Sequence, residues 1–276
     1  MTEENLKSFQ KLLLLIVDEI DRICKKYDIK YTLFAGSLLG AVRHKGIIPW
    51  DDDIDIAMPR EDFEYFFRVC EKELDHKFNV VNIENTERYG YGFSKLTLKK
   101  TKIVQKDIKN GNNIFEIWVD VFPYDNIPDS KFLSFKQNII NYFITKVLEE
   151  RFDGIWGHPG ILKRICYGIF HIFNMFISAE KLKKKLVNNM IKYNKKETLF
   201  ISCICGYYGY SAEIMPRNIF DDLAEYEFSE RLLKGFRDYD SYLRAIYGDY
   251  MELPPEGKRH THNLEIIDWG DYGVQK

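Results

Sequence analysis

Apolar residues recur along the first part of the chain at spacings of three and four, the pattern of an amphipathic helix. This pattern predicts a helix over residues 5–27, and a short second helix is predicted at Leu38–Val42. Pro59 suits the first turn of a third helix, since a proline needs no partner for its backbone nitrogen there. Shorter apolar runs predict strands at residues 31–35, 53–56, 78–83, 93–98, 101–105 and 114–122.

After residue 130 the pattern becomes mainly helical, with helices predicted near residues 131–150, 160–177, 179–195 and 239–247. Strands first and helices later predict an α+β fold, a mixed sheet core with an N-terminal helix and a mostly helical C-terminal half. The predicted regions are a core at 1–128, a helical region at 129–215 and a segment at 216–276 that packs back on the core.

The predicted helix at 161–177 is apolar around most of its circumference and is followed by several lysines. It is too short to span a bilayer. Two interpretations remain open: a buried core helix, or a helix lying in a membrane interface with the lysines near anionic headgroups.

Composition narrows the class of protein. Of the 276 residues, 45% are apolar, which indicates a folded chain, and the formal net charge of -2 offers no basic stripe for nucleic acid. A small or glycan substrate is therefore favoured. Five cysteines at no framework spacing, and an acidic start without the features of a secretory signal, favour a reduced cytoplasmic protein.

Four carboxylates occur within five residues at Asp51, Asp52, Asp53 and Asp55, and Ile54 and Ile56 alternate with the last two. In an extended strand the isoleucines face the core, and Asp53 and Asp55 project together from the other face. Like charges held this close repel unless a cation neutralises them, and hard oxygen ligands select Mg²⁺, Mn²⁺ or Ca²⁺.

Three other interpretations of this run fit less well. A solvated acidic loop needs no alternating isoleucines. A calcium loop of the EF-hand type needs glycine and glutamate where this chain has Ile56 and Asp62. A helical turn is disfavoured by the β-branched residues and by Pro59 just beyond.

Gly36 and Ser37 lie shortly before the acidic run, at the predicted start of a helix. Glycine lets backbone approach a phosphate, and a helix N-terminus offers free N–H groups to an anion. Asp120, the acid in an otherwise apolar strand, is the candidate third carboxylate, with structural capping as the alternative role. Metal, phosphate and a third carboxylate together indicate phosphoryl transfer, with Asp120 as metal ligand, general base or both.

The segment Phe34–Asp55, FAGSLLGAVRHKGIIPWDDDID, resembles the signature of the LicD family. This family comprises phosphocholine transferases of bacterial surface glycans and the fukutin-related ribitol-phosphate transferases. Trp118–Pro123 resembles the family's second acidic strand, and Tyr247–Tyr250, Leu253–Pro255 and Lys258–Arg259 resemble its C-terminal motif.

The resemblance implies a nucleotidyltransferase-like fold and a CDP-alcohol-dependent phosphotransferase. Such an enzyme transfers a phospho-alcohol, phosphocholine foremost, to a hydroxyl of a cell-surface glycan or its lipid-linked precursor and releases CMP. A lipid-linked acceptor implies a cytoplasmic protein, peripheral at the inner face of the membrane. Carried onto this sequence, Asp53, Asp55 and Asp120 are catalytic and bind Mg²⁺ or Mn²⁺, with Asp51 or Asp52 assisting, and Gly36 and Ser37 face the donor diphosphate.

Further cations are candidates for the donor phosphates. Arg43, His44 and Lys45 lie on the predicted loop between the two motifs, and Lys95 lies on a predicted core strand where a lysine needs an anionic partner. The basic tail, Lys258, Arg259, His260 and His262, either folds back on the site or frays, and it lacks the spacing of a structural zinc site.

The head group and the reaction class have alternatives. Choline would need aromatic faces, for which the candidates are Tyr89, Tyr91, Trp118, Tyr124 and Trp156. Ribitol or glycerol would need several hydrogen-bonding side chains instead. The same acidic apparatus also suits a nucleotidyltransferase that activates a small molecule with a nucleoside triphosphate, and a non-catalytic metal- or glycan-binding module is the third class.

Overall fold

The computed structural model describes residues 1–106, 113–154, 160–208, 212–259 and 261–273, without the side chains of Cys166 and Lys258. The α-helices in these ranges are α1 (Glu3–Tyr27), α2 (Ala35–His44), α3 (Arg60–Glu73), α4 (Lys131–Asp153), α5 (Ile161–Phe176), α6 (Ala179–Met190) and α7 (Tyr239–Tyr247). The strands are β1 (Thr32–Leu33), β2 (Asp55–Pro59), β3 (Phe78–Val81), β4 (Ser94–Gln105), β5 (Ile114–Ile127), β6 (Phe200–Ser202), β7 (Ile214–Pro216), β8 (Leu223–Phe228), β9 (Arg231–Phe236) and β10 (Leu264–Asp268).

Strand β5 organises the main sheet, whose central order is β1-β2-β5-β4-β10. It pairs in parallel with β2 and antiparallel with β4, and its end pairs with β6, which in turn pairs with β7. Strand β3 pairs with residues 95–98 of β4, and β8 and β9 form a separate hairpin. Strands β2 and β4, which flank β5, place Asp55 and Lys95 on either side of Asp120 at the centre of β5.

Helix α1 covers the sheet because its apolar residues share one face. Phe9, Leu13, Ile16, Ile20 and Ile23 are all buried. The helix begins at a cap in which the Thr2 hydroxyl accepts the Asn5 N–H at 3.3 Å. The core of the protein lies between this helix and the sheet.

A second, smaller core joins α4 to α6. It contains Ile144, Val147, Leu148, Leu182 and Leu186. Helix α5 packs against α4 from outside, and none of its described side chains is fully buried. The interpretation of residues 161–177 as a buried core helix is therefore wrong.

The sequence predictions of fold class and of the helices are confirmed by this α+β architecture. Two details differ. The strands predicted at 93–98 and 101–105 form the single strand β4, which continues through an irregularity between Leu98 and Ile103. The five strands β6–β10 were not predicted, because they are short or follow polar segments.

Within the described ranges, no helix combines the length and the apolar character that crossing a bilayer requires.

Candidate functional site

The acidic run folds as a loop that enters β2, and not as a strand throughout. Strand β2 begins at Asp55, so Asp53 lies just before it, which corrects the prediction that both acids are in the strand. Ile54 and Ile56 are nevertheless buried at 1% and 0% exposure, so the predicted alternation of faces is present. Gln10 of α1 holds the loop by donating its Nε2 hydrogen to the Asp51 carbonyl at 2.8 Å.

Ser37 fixes the start of β2. Its hydroxyl oxygen accepts the backbone N–H of Asp55 at 2.8 Å, and Phe34 donates its own N–H to the Asp55 carbonyl at 2.9 Å. The loop and the first turn of α2 are therefore held at one place. The hydroxyl predicted to face a phosphate supports the backbone of the candidate metal ligand.

Gly36 lies beside the acids because it has no side chain. A Cβ at this position would lie 3.4 Å from Asp51 Oδ2 and 3.8 Å from the Tyr247 hydroxyl. Tyr247 Oη in turn donates to Tyr208 Oη at 2.7 Å. The N-terminus of α2, Asp51 and Tyr247 thus lie close together, and the role of Gly36 toward a phosphate stays a prediction.

Asp120 lies opposite Asp55 in the parallel pairing of β5 with β2, and opposite Lys95 in the antiparallel pairing with β4. Lys95 Nζ lies 2.6 Å from Asp120 Oδ1. Trp118 donates its Nε1 hydrogen to Asp120 Oδ2 at 3.0 Å, and its ring centroid lies 4.1 Å from Lys95 Nζ. The lysine has the anionic partner that its position on a core strand requires, and that partner is the predicted third carboxylate.

Burial and mutual repulsion raise the pKa values of the acids in the loop. Burial, followed by the charge of Asp53, raises the pKa of Asp51 to about 9. Burial also raises the pKa of Asp53, which His262 partly opposes. The pKa of Asp55 is raised well above its ordinary value by burial and then by Asp53 and Asp120. The positive charge around these carboxylates is too small to stabilise all of them in the ionised form at once.

His262 brings one cation to this loop from the far end of the chain. Its backbone N–H donates to Asp52 Oδ1 at 3.0 Å, and its Nδ1 lies 2.9 Å from the same oxygen. The bond to Asp52 raises the pKa of His262 to about 9. Ligand atoms of Asp52, Asp53 and His262 lie within 4.8 Å of one another. The tail therefore folds back on the site, while His260 lies outside the described residues.

Arg259 belongs to the same folded tail. Its guanidinium carbon lies 4.2 Å from the centroid of the Trp50 ring, directly before the acidic loop. His44 meets the same ring edge to face at a centroid distance of 5.9 Å. Burial lowers the pKa of His44. Trp50 is thus the surface on which the loop and the tail come together.

Arg43 and Lys45 point to other parts of the chain. Arg43 Nη1 donates to the carbonyls of Tyr250 and Glu252 at 2.6 and 3.3 Å, which secures the segment after α7. Lys45 Nζ lies 3.3 Å from Glu227 on β8. The structure gives both cations protein partners, so they are not placed as the sequence predicted for phosphate ligands.

A cavity of about 350 Å³ opens between the segment just before β4, helix α4 and the segment after β6. Its aromatic lining includes Tyr91, Phe93 and Tyr207, and Glu149 and Glu213 also line it. The cavity adjoins the acids, since the Phe93 centroid lies 5.3 Å from the Lys95 Nζ that binds Asp120.

Glu213 is a buried acid in the wall of this cavity. It is 2% exposed, and its Oε2 has no hydrogen-bond partner among the residues that the structure describes. Burial raises its pKa to about 7. A buried carboxylate oxygen without a donor is costly when ionised, so this position favours either protonation of Glu213 or a nearby cation.

The aromatic candidates proposed from the sequence separate in space. Tyr91 lines the cavity, and Tyr89 stacks on it with a centroid distance of 5.4 Å. Trp118 covers Lys95, whereas Tyr124 is buried against Phe34. Trp156 lies outside the described residues. Phe93 and Tyr207 were not among the candidates.

The amino-acid sequence of this chain is similar to those of several known proteins. Residues 28–149 match the family model for LicD/FKTN/FKRP, nucleotidyltransferase domain. The chain is 29% identical over 273 residues to the lipopolysaccharide cholinephosphotransferase LicD of Haemophilus influenzae, covering 96% of this chain and 98% of that protein. It is 56% identical over 34 residues to the human ribitol 5-phosphate transferase FKRP, which is 12% of this chain and 7% of that protein. An uncharacterized protein of Rickettsia prowazekii is 31% identical over 117 residues, 42% of this chain and 40% of that protein.

Proposed function

Because the chain carries a LicD-family domain, we propose that it is a metal-dependent phosphotransferase. It moves a phospho-alcohol, with phosphocholine as the preferred one, from a CDP-activated donor to a hydroxyl of a cell-surface glycan or its lipid-linked precursor, and CMP leaves. The relative matched over almost the whole chain is a cholinephosphotransferase that acts on lipopolysaccharide, which supports this class of reaction. The proposed place of action is the inner face of the cytoplasmic membrane, with no nucleic acid involved.

The observation that carries the proposal is the group of half-buried acids at Asp51, Asp53 and Asp55 beside Gly36. Their pKa values are raised first by burial and then by neighbouring carboxylates, and a divalent cation would offset both effects. Carboxylate oxygens are the hard ligands that Mg²⁺ and Mn²⁺ prefer. The donor set therefore fits such a metal, and Asp53 and Asp55 would hold it with Asp51 assisting. A bound metal would supply charge neutralisation at the transferred phosphate.

Asp120 has a role distinct from that of the other acids. Both of its oxygens already accept a donor, from Lys95 and Trp118. These bonds fix the orientation of the carboxylate next to Asp55, and we propose that it takes up the proton of the acceptor hydroxyl at a carboxylate oxygen. A remaining lone pair would also let it complete the metal site. Lys95 would act through Asp120 and not as a separate phosphate ligand.

The start of α2 would receive the donor diphosphate. Gly36 leaves space beside Asp51, and the N-terminus of a helix carries partial positive charge. Ser37 would keep Asp55 in place through its bond to the backbone. Binding and positioning of this kind do most of the work in phosphoryl transfer.

The aromatic cavity supports choline as the head group. A trimethylammonium group has no N–H to donate, so it is bound by ring faces and by nearby negative charge. Tyr91, Phe93 and Tyr207 offer rings, and the unpartnered oxygen of Glu213 offers charge.

The test of the proposed function uses the purified protein with Mg²⁺ and each of CDP-choline, CDP-ribitol and CDP-glycerol. We expect CMP release, even by slow hydrolysis without an acceptor, to be fastest with CDP-choline. Formation of pyrophosphate from CTP and a small alcohol, without CMP from any of the three donors, would instead establish a nucleotidyltransferase. No turnover of any of them would favour a binding module.

A matched pair of variants tests the cavity. Tyr207 is 70% exposed, so replacing it should not disturb the core. We expect Tyr207→Leu to raise KM for CDP-choline about tenfold, the range of one cation–π contact, and Tyr207→Phe to leave KM nearly unchanged because the ring remains. Steady-state CMP release gives both values. Equal KM values for wild type and Tyr207→Leu would remove the head group from this cavity.

A further inference from the structure

Helix α5 presents its apolar side chains to solvent. Ile161, Leu162, Ile165, Ile169, Ile172 and Phe176 are exposed over 53–81% of their surface. At 3.6 residues per turn these positions fall within an arc of about 100°. The arc extends along the full length of the helix, so it is one continuous stripe.

The opposite, more polar face of α5 packs against α4. Asn174 donates its Nδ2 hydrogen to the Val147 carbonyl at 2.9 Å and accepts from Arg151 Nε at 2.9 Å. His171 Nδ1 lies 2.9 Å from Glu150 Oε1. A helix on the surface of a globular protein normally buries its apolar stripe and exposes its polar face. Helix α5 instead leaves a long apolar stripe exposed and packs a mixed face against α4, where Phe170 also lies 5.3 Å, between ring centroids, from Phe143. The exposed stripe suits an apolar environment outside the protein.

Helix α4 continues the apolar surface. Its Phe143 lies 5.0 Å, between ring centroids, from Phe173 of α5. Ile139 and Ile140 precede Phe143 by one helical turn and are 48% and 38% exposed. The exposed surface therefore covers two helices and exceeds the scattered apolar residues that soluble surfaces carry.

The charge around this surface distinguishes between two candidate partners, a second copy of the chain and an anionic lipid bilayer. From residue 161 to residue 185 the chain has six cations, Lys163, Arg164, Lys181, Lys183, Lys184 and Lys185, against the single acid Glu180, which gives +6 − 1 = +5. The whole chain has a formal charge of -2. Two copies facing each other here would bring like charges together, whereas anionic lipid headgroups would attract them.

We propose that α5 and the adjoining face of α4 lie in the interface of an anionic lipid bilayer. The apolar stripe enters the boundary between headgroups and acyl chains, and the exposed Lys181, Lys184 and Lys185 of α6 remain at headgroup level, whereas Lys183 is bound to the carbonyls of Thr86 and Glu87. The interaction is peripheral, and it does not depend on the proposed reaction.

Co-sedimentation of the full chain with vesicles tests this. We expect binding to phosphatidylcholine vesicles that contain about 30% phosphatidylglycerol, weaker binding to phosphatidylcholine alone, and weakening by salt. The double variant Ile165→Asp with Ile169→Asp should reduce partitioning by about tenfold or more, since it places two charges in the apolar stripe. Thermal unfolding should be unchanged, because both side chains already face solvent.

Leu232→Asp is the matched control. Leu232 lies on β9, away from α5, and is 57% exposed. The Leu232→Asp variant should therefore bind vesicles as the wild type does. Absence of binding to anionic vesicles, or equal binding by the wild type and the double variant, would overturn the proposal. So would a dimer in light scattering that the double variant abolishes, since that result would assign the surface to a second copy.

Discussion

Asp55→Asn is expected to lower the rate of phospho-alcohol transfer by about three orders of magnitude and to leave the protein folded. A metal bound to carboxylates contributes several kcal/mol to stabilising the charge of a transferred phosphate, and about 4 kcal/mol corresponds to a thousandfold in rate. The amide keeps the size of the side chain but offers a neutral oxygen. CMP release from the best CDP-alcohol donor, measured over a range of Mg²⁺ concentrations, gives the effect.

The same substitution should leave the metal-free protein as stable as the wild type or more stable. Asp55 is surrounded by Asp53 and Asp120, and their charges with burial raise its pKa. Removing one of three mutually repelling carboxylates relieves this repulsion. The bond to Ser37 involves the Asp55 backbone and survives the change. Loss of function with retained or increased stability is the usual signature of a functional site.

Asp62→Asn provides the control for this experiment. Asp62 is also half-buried and has a raised pKa from burial, but it accepts the Lys30 N–H at the start of α3, away from the acidic loop. Its amide variant should retain full activity. If Asp55→Asn were as active as Asp62→Asn, the assignment of Asp55 as a metal ligand would be wrong.

The second large effect concerns stability. Arg60→Met is expected to lower the free energy of unfolding by about 3–5 kcal/mol, as measured by urea denaturation. Arg60 Nε and Nη2 lie 2.7 and 2.6 Å from the two oxygens of Asp125, which is 0% exposed. Methionine preserves much of the packing but leaves a buried charge for which Asn194, at 2.6 Å, is the one remaining side-chain donor within the described ranges.

Two further variants show whether Arg60→Met destabilises the protein through the unpaired charge of Asp125 or through lost packing. Adding Asp125→Asn to Arg60→Met removes the stranded charge and should restore part of the stability. Arg237→Ala breaks the exposed pair with Asp222 and should have little effect, because exposed pairs are screened by water. If the double variant were less stable than Arg60→Met, the cost would come from packing.

Several parts of the site were predictable because their causes are local. The alternation of Ile54 and Ile56 fixes which face the neighbouring acids take, even though β2 begins only at Asp55. Asp120 was predictable because an acid in an apolar strand needs a polar neighbour. Its exact partner was not, since the register that places Lys95 opposite it depends on the pairing of β4 with β5.

Other parts depend on contacts that no local pattern contains. His262 binds Asp52, 210 positions earlier, and no periodicity around His262 indicates this. Arg43 lies between Gly36-Ser37 and the acidic run, which suggested a phosphate ligand, yet its hydrogen bonds go to the carbonyls of Tyr250 and Glu252. Sequence spacing placed it near the site and could not give the direction of its side chain. The apolar pattern of α5 was visible, but which face meets α4 required the contacts of Asn174.

The bond between His262 and Asp52 also has a consequence for biosynthesis. A ribosome completes the signature segment and most of the sheet long before it reaches residue 262. During that interval the acidic loop exists without the cation that lies against Asp52 and Asp53 in the finished chain. The last strand of the sheet, β10, directly follows this histidine and pairs with β4. Neutralisation of the acidic loop is therefore tied to the synthesis of residue 262, so a nascent chain that stops before it would hold these acids in a less neutralised state than the folded protein does.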